Sequence, residues 1–214
     1  MTADALLNVV HEDPLFVVVD KPSGMLSVPG RGPEKQDCVT ARVKMMYPDV
    51  IQQPAVHRLD MDTSGLIVVA LEAASHRNLS RQFEERKTHK RYIALLDGEL
   101  DADSGTIELP FRLDVENRPL QIYDEVHGKV GISHWEKLSI ENGFTRVAFT
   151  PITGRTHQLR VHAAHERGLG TPIVGDPFYG RGNHGGPLRL HACDLSFFHP
   201  ETQQRMNFHS PPRF

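Results

Sequence analysis

The chain has 214 residues, of which 39% are apolar and 24% charged, and it contains two cysteines. This composition is typical of one globular domain and excludes disordered, fibrous and disulfide-rich proteins. Apolar runs such as residues 15–19 and 66–71 are far shorter than the roughly 20 residues that span a bilayer, so we expect no membrane span. Residues 1–10 lack a basic start and a long apolar stretch, and we therefore expect no export signal and a cytoplasmic location.

The charge is unevenly distributed along the chain. The net charge is −3, but residues 97–141 hold eleven acidic side chains against four Lys or Arg. Residues 75–92 carry six Lys or Arg against two Glu. Since a polyanion responds to the local field, the overall charge does not exclude RNA binding, although a solvated helix face explains such a run equally well.

The pattern in the first half predicts short strands with two helices between them. The strands are expected around residues 9–13, 15–19 and 66–71, where apolar runs are bounded by turn residues. The helices are expected at residues 39–47, ended by Pro48, and 73–87, with Leu79 and Phe83 facing inward.

The second half is predicted to be mostly strands. They are expected at residues 91–96, 106–109, 120–123, 131–140 and 144–150, with one further helix at residues 156–166. Because short strands dominate and helices interrupt them irregularly, we predict an α+β fold with a mostly antiparallel mixed sheet, flanked by helices and loops.

A polar segment, residues 57–65, leads through a glycine turn into a predicted buried strand. Asp60 lies two residues from Arg58, at the rim of the expected sheet, where a side chain is held rigidly. A carboxylate in such a place suits catalysis. The spacing alone also fits a structural arrangement in which Asp60 caps a turn and Arg58 pairs on the surface.

Residues 151–162 are rich in hydrogen-bond donors where a strand is followed by a helix. Thr156 is predicted to cap this helix. The first turn would then present backbone N–H groups beside Arg155 and Arg160, which suits a phosphate or a carboxylate.

Three histidines follow in the same region, at positions 157, 162 and 165. Their spacing matches no metal-binding pattern, so we predict surface or RNA-facing histidines and no metal site. Tyr92 stands beside Lys90 and Arg91 at the start of a strand, where it can stack on a base or belong to the core. The chain lacks glycine-rich phosphate loops and the nucleophile elbow of serine hydrolases.

The chain contains six motifs in a fixed order. They are Asp20-Lys21-Pro22-Ser23-Gly24-Met25-Leu26, His57-Arg58-Leu59-Asp60-x-x-Thr63-Ser64-Gly65-Leu66, Lys90-x-Tyr92, Gly154-Arg155-x-His157-Gln158-Leu159-Arg160-Val161-His162, Gly175-Asp176-Pro177-x-Tyr179-Gly180 and Leu190-His191-Ala192. This set resembles the motifs of the RluA family of pseudouridine synthases, and the resemblance extends from about Val9 to Phe214. The resemblance implies the pseudouridine synthase fold, with a central RNA-binding cleft.

The resemblance also implies an RNA-modifying isomerase in which Asp60 is catalytic. The reaction breaks the N1–C1′ bond of uridine, turns the uracil and joins C5 to C1′, so no cofactor is expected. Arg160 is expected to pair with Asp60 and keep it ionised, and Tyr92 to stack under the uracil. Attack by Asp60 on C1′, attack on the base and removal of a ribose proton all stay open.

Further residues are expected to contact the substrate. The target uridine must leave its stack to be reached, and Arg58 is expected to take the vacated place because a guanidinium stacks on bases. The other substrate-binding residues that the resemblance implies are His57, Arg155, His157 and Val161. The basic segment at residues 77–91 is expected to contact the RNA backbone.

Within the family, residues 24–31 and 117–121 look most like members that act on stem-loops of both 23S ribosomal RNA and tRNA. We expect one catalytic domain over residues 1–214, without an S4-type domain, acting as a monomer without a protein partner. Residues 162–172 form a longer segment than is usual in the family. The alternatives are a synthase for another tRNA or ribosomal uridine, a catalytically silent RNA-binding protein, and a metal-dependent hydrolase, which the missing ligand spacing disfavours.

Overall fold

The computed structural model describes residues 7–182 and 185–214. The expectation that no export signal is present depends partly on residues 1–6, which lie outside the described residues. None of the helices in the described part of the chain has the length and apolar content needed to cross a bilayer.

The described residues form ten strands and three α-helices. In chain order the elements are β1 (Asn8–Glu12), β2 (Phe16–Lys21), a 3₁₀ helix (Pro33–Lys35), α1 (Val39–Met46), β3 (Ser64–Ala70), α2 (Ala73–Glu84), β4 (His89–Leu96), β5 (Ser104–Leu113), β6 (Gln121–Tyr123), β7 (Lys129–Glu141), β8 (Phe144–Pro151), α3 (Gln158–Ala164), β9 (Leu190–Phe198) and β10 (Arg205–His209).

The chain divides into two compact units. The first unit contains the chain up to Lys90 together with Ala192–Arg213, and the second contains Arg91–His191 with Phe214. The chain therefore leaves the first unit within β4 and returns to it within β9.

The first unit is built on the strand order β1-β2-β3-β9, and β10 pairs with β9. The pairs β1–β2, β2–β3 and β9–β10 are antiparallel. Strands β2 and β3 are buried along nearly their whole length, which explains why their sequences are continuous apolar runs without alternation. Leu79 and Phe83 of α2 pack against this core, as their helical spacing predicts.

A close approach of two backbones fixes the start of β3. Gly65 has a φ of +114°, and a Cβ at this position would lie 2.4 Å from the carbonyl oxygen of Ala192 in β9. Only glycine permits both this φ and this proximity. The strand that follows the Asp60 segment is therefore seated directly against β9.

The second unit has the strand order β4-β8-β7-β5-β6. The β4–β8, β7–β8, β5–β7 and β5–β6 pairs are all antiparallel. In β7, Gly131, Ser133 and Trp135 are buried and alternate with more exposed residues, as expected for a strand with one covered face. Leu159 and Val161 bring α3 onto the same core.

The α+β prediction is confirmed, and the antiparallel pairs dominate as expected. The helix at 156–166 is shorter than predicted, and the predicted Thr156 cap is wrong. Helix α3 begins at Gln158, and His157 stands at the N-cap position in a left-handed conformation with no side-chain cap. Strand β9 was not predicted, because it is buried along nearly its whole length and lacks the alternation that marks a half-buried strand. Strand β10 was not predicted either.

Candidate active site

Asp60 lies in the loop between α1 and β3. A tight turn follows it directly, because the N–H of Thr63 donates a hydrogen bond of 3.2 Å to the carbonyl of Asp60. The chain then enters β3 at Ser64. Asp60 is half-buried, and the turn that follows it leads directly into the buried strand β3.

The backbone just before Asp60 is clamped by Ser27. The Ser27 hydroxyl donates to the carbonyl of Leu59 at 2.7 Å and accepts from the N–H of Leu59 at 3.0 Å. Both groups are buried. One side chain therefore satisfies both backbone groups of the residue that precedes Asp60.

The backbone just after Asp60 is held by Ser23 and Gly24, which come shortly before Ser27 in the chain. The N–H of Gly24 donates to the carbonyl of Met61 at 2.9 Å, and the Ser23 hydroxyl donates to the carbonyl of Asp62 at 2.7 Å. We call the segment of residues 21–27 the clamp, because it fixes the chain on both sides of Asp60.

Lys21 is the centre of the clamp and is fully buried. Its ammonium donates to the carbonyls of Pro22, Met25 and Met61, at 3.0, 2.7 and 2.8 Å. Burial lowers the pKa of Lys21 to about 8, although the charges of Asp62 and Asp60 oppose this shift. The clamp thus also places a buried cation near the candidate catalytic carboxylate.

His57 joins the loop to the elements behind it. Its Nε2 accepts a hydrogen bond of 3.1 Å from the N–H of Val68, and its ring stacks on Phe83 with centroids 4.3 Å apart. Burial lowers the pKa of His57 to about 3, and the charge of Lys90 acts in the same direction. The ring is therefore neutral at physiological pH, with Nε2 fixed as the acceptor.

Arg58 differs from its two neighbours because it is exposed. Within the described residues, no hydrogen bond, ion pair or ring contact engages its guanidinium. The alternative in which Arg58 forms a surface ion pair is therefore wrong for the described part of the chain. The side chain is available to a ligand.

In the second unit, Arg160 is held by a bidentate ion pair with Asp176. Its Nε and Nη2 donate to the two carboxylate oxygens at 2.8 and 2.6 Å, and both side chains are almost fully buried. The guanidinium also lies over the rings of Phe178 and Tyr179, at 5.0 and 5.5 Å from their centroids. This packing fixes the plane of the guanidinium.

His157 is buried and linked to the same loop. Its Nδ1 is 2.9 Å from the Tyr179 hydroxyl, which accepts from the N–H of Gln121 at 2.8 Å. The His157 ring also stacks on Phe178. The prediction of surface histidines is wrong for His157 and His162, which are 6% and 0% exposed, because α3 faces the core along nearly its whole length.

Arg155 lies on the exposed turn that precedes α3. Its backbone N–H donates to Oε1 of Gln158 at 3.1 Å, and the same oxygen accepts from Thr153 at 2.7 Å. The buried Gln158 side chain therefore shapes the turn, while the guanidinium of Arg155 stays at the surface.

Val161 belongs to the apolar core of the second unit, and Tyr92 packs against the same core. Val161 is 3% exposed within this core, and Tyr92 packs against the cluster while staying half-buried. This arrangement supports the Tyr92 ring with apolar atoms, as a stacking platform requires.

The predicted site residues thus fall into two groups. The first unit holds His57, Arg58 and Asp60, and the second holds Tyr92, Arg155, His157, Arg160 and Val161. Sequence reasoning noted the motifs that contain Lys21 and Asp176 but gave these two residues no role. No group of three or more metal-ligating side chains occurs among residues 7–182 and 185–214.

Comparisons with known proteins identify relatives of this chain. The sequence model of the RNA pseudouridylate synthase family matches residues 15–165. The dual-specificity RNA pseudouridine synthase RluA of Pasteurella multocida is 47% identical, and the match covers 99% of this chain and 95% of the relative. The protein of the same name from Escherichia coli K12 is 43% identical, with 97% and 94% covered.

Solved structures show the same fold. Human RNA Pseudouridylate Synthase Domain Containing 1 superimposes with a TM-score of 0.80 at 28% identity, covering all of this chain and 86% of the human chain. Human RNA Pseudouridylate Synthase Domain Containing 4 has a TM-score of 0.74 at 23% identity and shares the fold.

The fold and these similarities thus define an enzyme that modifies RNA. The chain belongs to the RNA pseudouridylate synthase family, and it is an isomerase that acts on RNA.

Proposed function

We propose that this enzyme converts specific uridines to pseudouridine in stem-loops of both 23S ribosomal RNA and tRNA, with Asp60 as its catalytic carboxylate. The observation that carries the assignment of Asp60 is the clamp, whose hydrogen bonds fix the chain immediately before and after this residue. The double substrate class is supported by relatives named dual-specificity RNA pseudouridine synthases.

The reaction needs only groups that a protein supplies. The N1–C1′ bond breaks and the C5–C1′ bond forms, C5 loses its proton, and N1 gains one. Every heavy atom of the nucleoside is retained and no electron is lost or gained. We therefore propose catalysis by side chains alone, without a cofactor or a metal ion.

The roles proposed for the second unit follow from how its side chains are held. Tyr92 stacks on the target uracil, because its ring rests on an apolar core that includes Val161. Arg160 keeps the catalytic carboxylate ionised, as the resemblance implies, and Asp176 and two aromatic rings define the orientation of its guanidinium.

Of the four polar residues predicted to bind the substrate, two are proposed to contact the RNA directly and two to position other groups. Arg58 and Arg155 are exposed and meet the RNA directly, with Arg58 entering the stack that the flipped uridine leaves. His57 and His157 act as positioning residues, because Nε2 of the first and Nδ1 of the second are already engaged by protein groups.

The remaining parts of the proposal concern the whole chain. It works as a monomer without an obligate protein partner, and its two units together form one catalytic domain. Its place of action is the cytoplasm, where ribosomal RNA and tRNA are present.

The substrate assignment is tested by mapping pseudouridine in cellular RNA with and without the gene, and by treating unmodified tRNA and 23S fragments with purified enzyme. We expect one or more sites in each RNA class to disappear in the deletion strain and to be restored in vitro. Restoration in only one class would replace the dual assignment by a synthase for a single RNA. RNA binding without isomerisation would overturn the enzymatic assignment.

A further inference from the structure

Two lysines of the first unit are removed from full solvent contact, and they differ in how their charge is satisfied. The ammonium of Lys21 donates to three carbonyl groups. Lys90, the second residue of β4, is half-buried. Within residues 7–182 and 185–214, its ammonium has no hydrogen-bond acceptor and no carboxylate partner.

The surroundings of Lys90 are aromatic. Its Nζ lies 5.9 Å from the centroid of the Phe83 ring, and that ring stacks on His57. His57 offers no compensation, since its Nε2 already accepts from the N–H of Val68. Burial lowers the pKa of Lys90, which agrees with an ammonium that has lost water and gained no anion.

An ammonium that is partly desolvated without an acceptor costs free energy, and proteins usually satisfy it or replace it. An arriving anion removes this cost and releases counterions. The substrate of this enzyme is RNA, whose phosphates are such anions. Alternate side chains of a strand share a face, so Lys90 and Tyr92 leave β4 on the same side.

We propose that Lys90 binds a backbone phosphate of the RNA beside the target uridine, with Phe83 and His57 as the aromatic support that holds the lysine in place. The inference rests on the proposed roles of Asp60 and Tyr92, because these roles define which uridine is the target.

The test compares Lys90→Met with Lys90→Arg and with the control Lys44→Met. Methionine keeps the apolar stem against Phe83 and removes the charge. Lys44 is an exposed lysine of α1 and lies outside the basic segment. The probe is an unmodified tRNA anticodon stem-loop, measured for affinity over a range of KCl concentrations and for KM and kcat.

Lys90→Met is expected to weaken binding about tenfold and to reduce the slope of log affinity against log salt by about 0.7 to 0.9. The loss appears in KM rather than in kcat, and Lys90→Arg restores most of the affinity. Lys44→Met changes neither quantity appreciably. Equal effects of Lys90→Met and Lys44→Met would overturn the proposal.

A second measurement locates the phosphate. Single phosphates of the stem-loop are replaced in turn by neutral methylphosphonates. With the unaltered enzyme, one replacement near the target uridine should weaken binding about tenfold, and with Lys90→Met the same replacement should have no further effect. Additive effects at every position, or a loss of thermal stability in Lys90→Met that explains its weaker binding, would contradict phosphate binding. These measurements report binding and do not depend on turnover. They therefore test the role of Lys90 even if Asp60 is not the catalytic residue.

Discussion

His162 is a fully buried histidine in α3, and neither of its ring nitrogens has a hydrogen-bond partner among the described residues. Burial lowers its pKa to about 4, from about 6.5 in an unfolded chain. The unfolded state therefore binds a proton between these two values while the folded state does not. This titration therefore leaves the free energy of unfolding unchanged above pH 6.5 and lowers it progressively as the pH falls towards 4.

Replacing His162 with leucine should remove this pH dependence. At pH 7.5 we expect His162→Leu to be at least as stable as the unaltered protein, because an unpartnered polar ring leaves the core. Between pH 6.5 and 4 the unaltered protein should lose up to about 3 kcal/mol more than the variant. Urea unfolding at pH 7.5 and 5 measures both. A variant with the same pH profile as the unaltered protein would show that His162 is not the source of this acid sensitivity.

Ser27 offers a direct test of the clamp. Ser27→Ala leaves the buried N–H and carbonyl of Leu59 without their partner, so we expect a loss of stability of about 1 to 3 kcal/mol and a lower kcat with little change in RNA affinity. Ser80→Ala on α2 is the matched control, since the Ser80 side chain makes no hydrogen bond to any described residue. Denaturant unfolding and steady-state kinetics give the two readouts. An unchanged kcat in a folded Ser27→Ala enzyme would separate the clamp from catalysis.

At the residue scale, the sequence predicted those parts of the candidate site that lie within one short motif. Asp60, Arg58 and the turn after them lie within one continuous segment, and their placement follows from local chemistry. The partners Lys21 and Asp176 act through contacts with distant segments, at Met61 and Arg160. Local patterns do not encode such tertiary contacts, and so the roles of these two residues became visible only in the folded chain.

At the scale of the secondary-structure elements, Gly65 allows β3 to approach β9 closely. A Cβ at Gly65 would collide with backbone atoms of Ala192, which cannot move without breaking the sheet. Gly65→Ala should therefore destabilise the protein by more than about 3 kcal/mol.

Gly143→Ala is the matched control for this prediction. Gly143 has a similarly positive φ, of +80°, but a Cβ there meets nothing within 4 Å. The substitution should cost only about 1 kcal/mol, which reflects the backbone conformation alone. Thermal unfolding measures the loss of stability in each variant. Equal losses would show that the close approach to β9 does not cause the effect of Gly65→Ala.

Elements with a regular period were predicted well. The apolar spacing of α2 and the buried run of β3 agree with the structure, apart from the ends of the two elements. The start of α3 was missed because His157 adopts a left-handed conformation that packs its ring on Phe178, and this contact overrides the preference for a threonine cap. The start of this helix was therefore predicted wrongly because tertiary packing, and not a local cap, determines it.

At the scale of the whole molecule, the acidic and basic segments belong to different units. The acidic residues 97–141 lie within the second unit, whereas the basic residues 75–90 lie within the first. Arg77 and Arg81 are exposed on α2. A polyanion therefore meets a positive field at this helix although the net charge of the chain is −3.

Replacing Arg77 and Arg81 with glutamine should flatten the salt dependence of RNA binding, by up to about 1.8 in the slope of log affinity against log salt. Arg205→Gln serves as the control, because Arg205 is an exposed arginine on β10 outside the basic segment. Filter binding of tRNA across a KCl series measures the slope. If the double variant keeps the original slope, the basic face of α2 does not meet the RNA.

The catalytic role of Asp60 is tested most directly by the release of a hydrogen label from C5 of uridine, measured for Asp60→Asn and compared with Asp62→Asn. Both variants remove one carboxylate from the same turn, but only Asp60 is proposed to act on the nucleoside. We expect Asp60→Asn to lose more than about a thousandfold in rate while still binding the RNA, and Asp62→Asn to retain most of its activity. Label release by Asp60→Asn at a rate comparable to the unaltered enzyme would contradict the assignment.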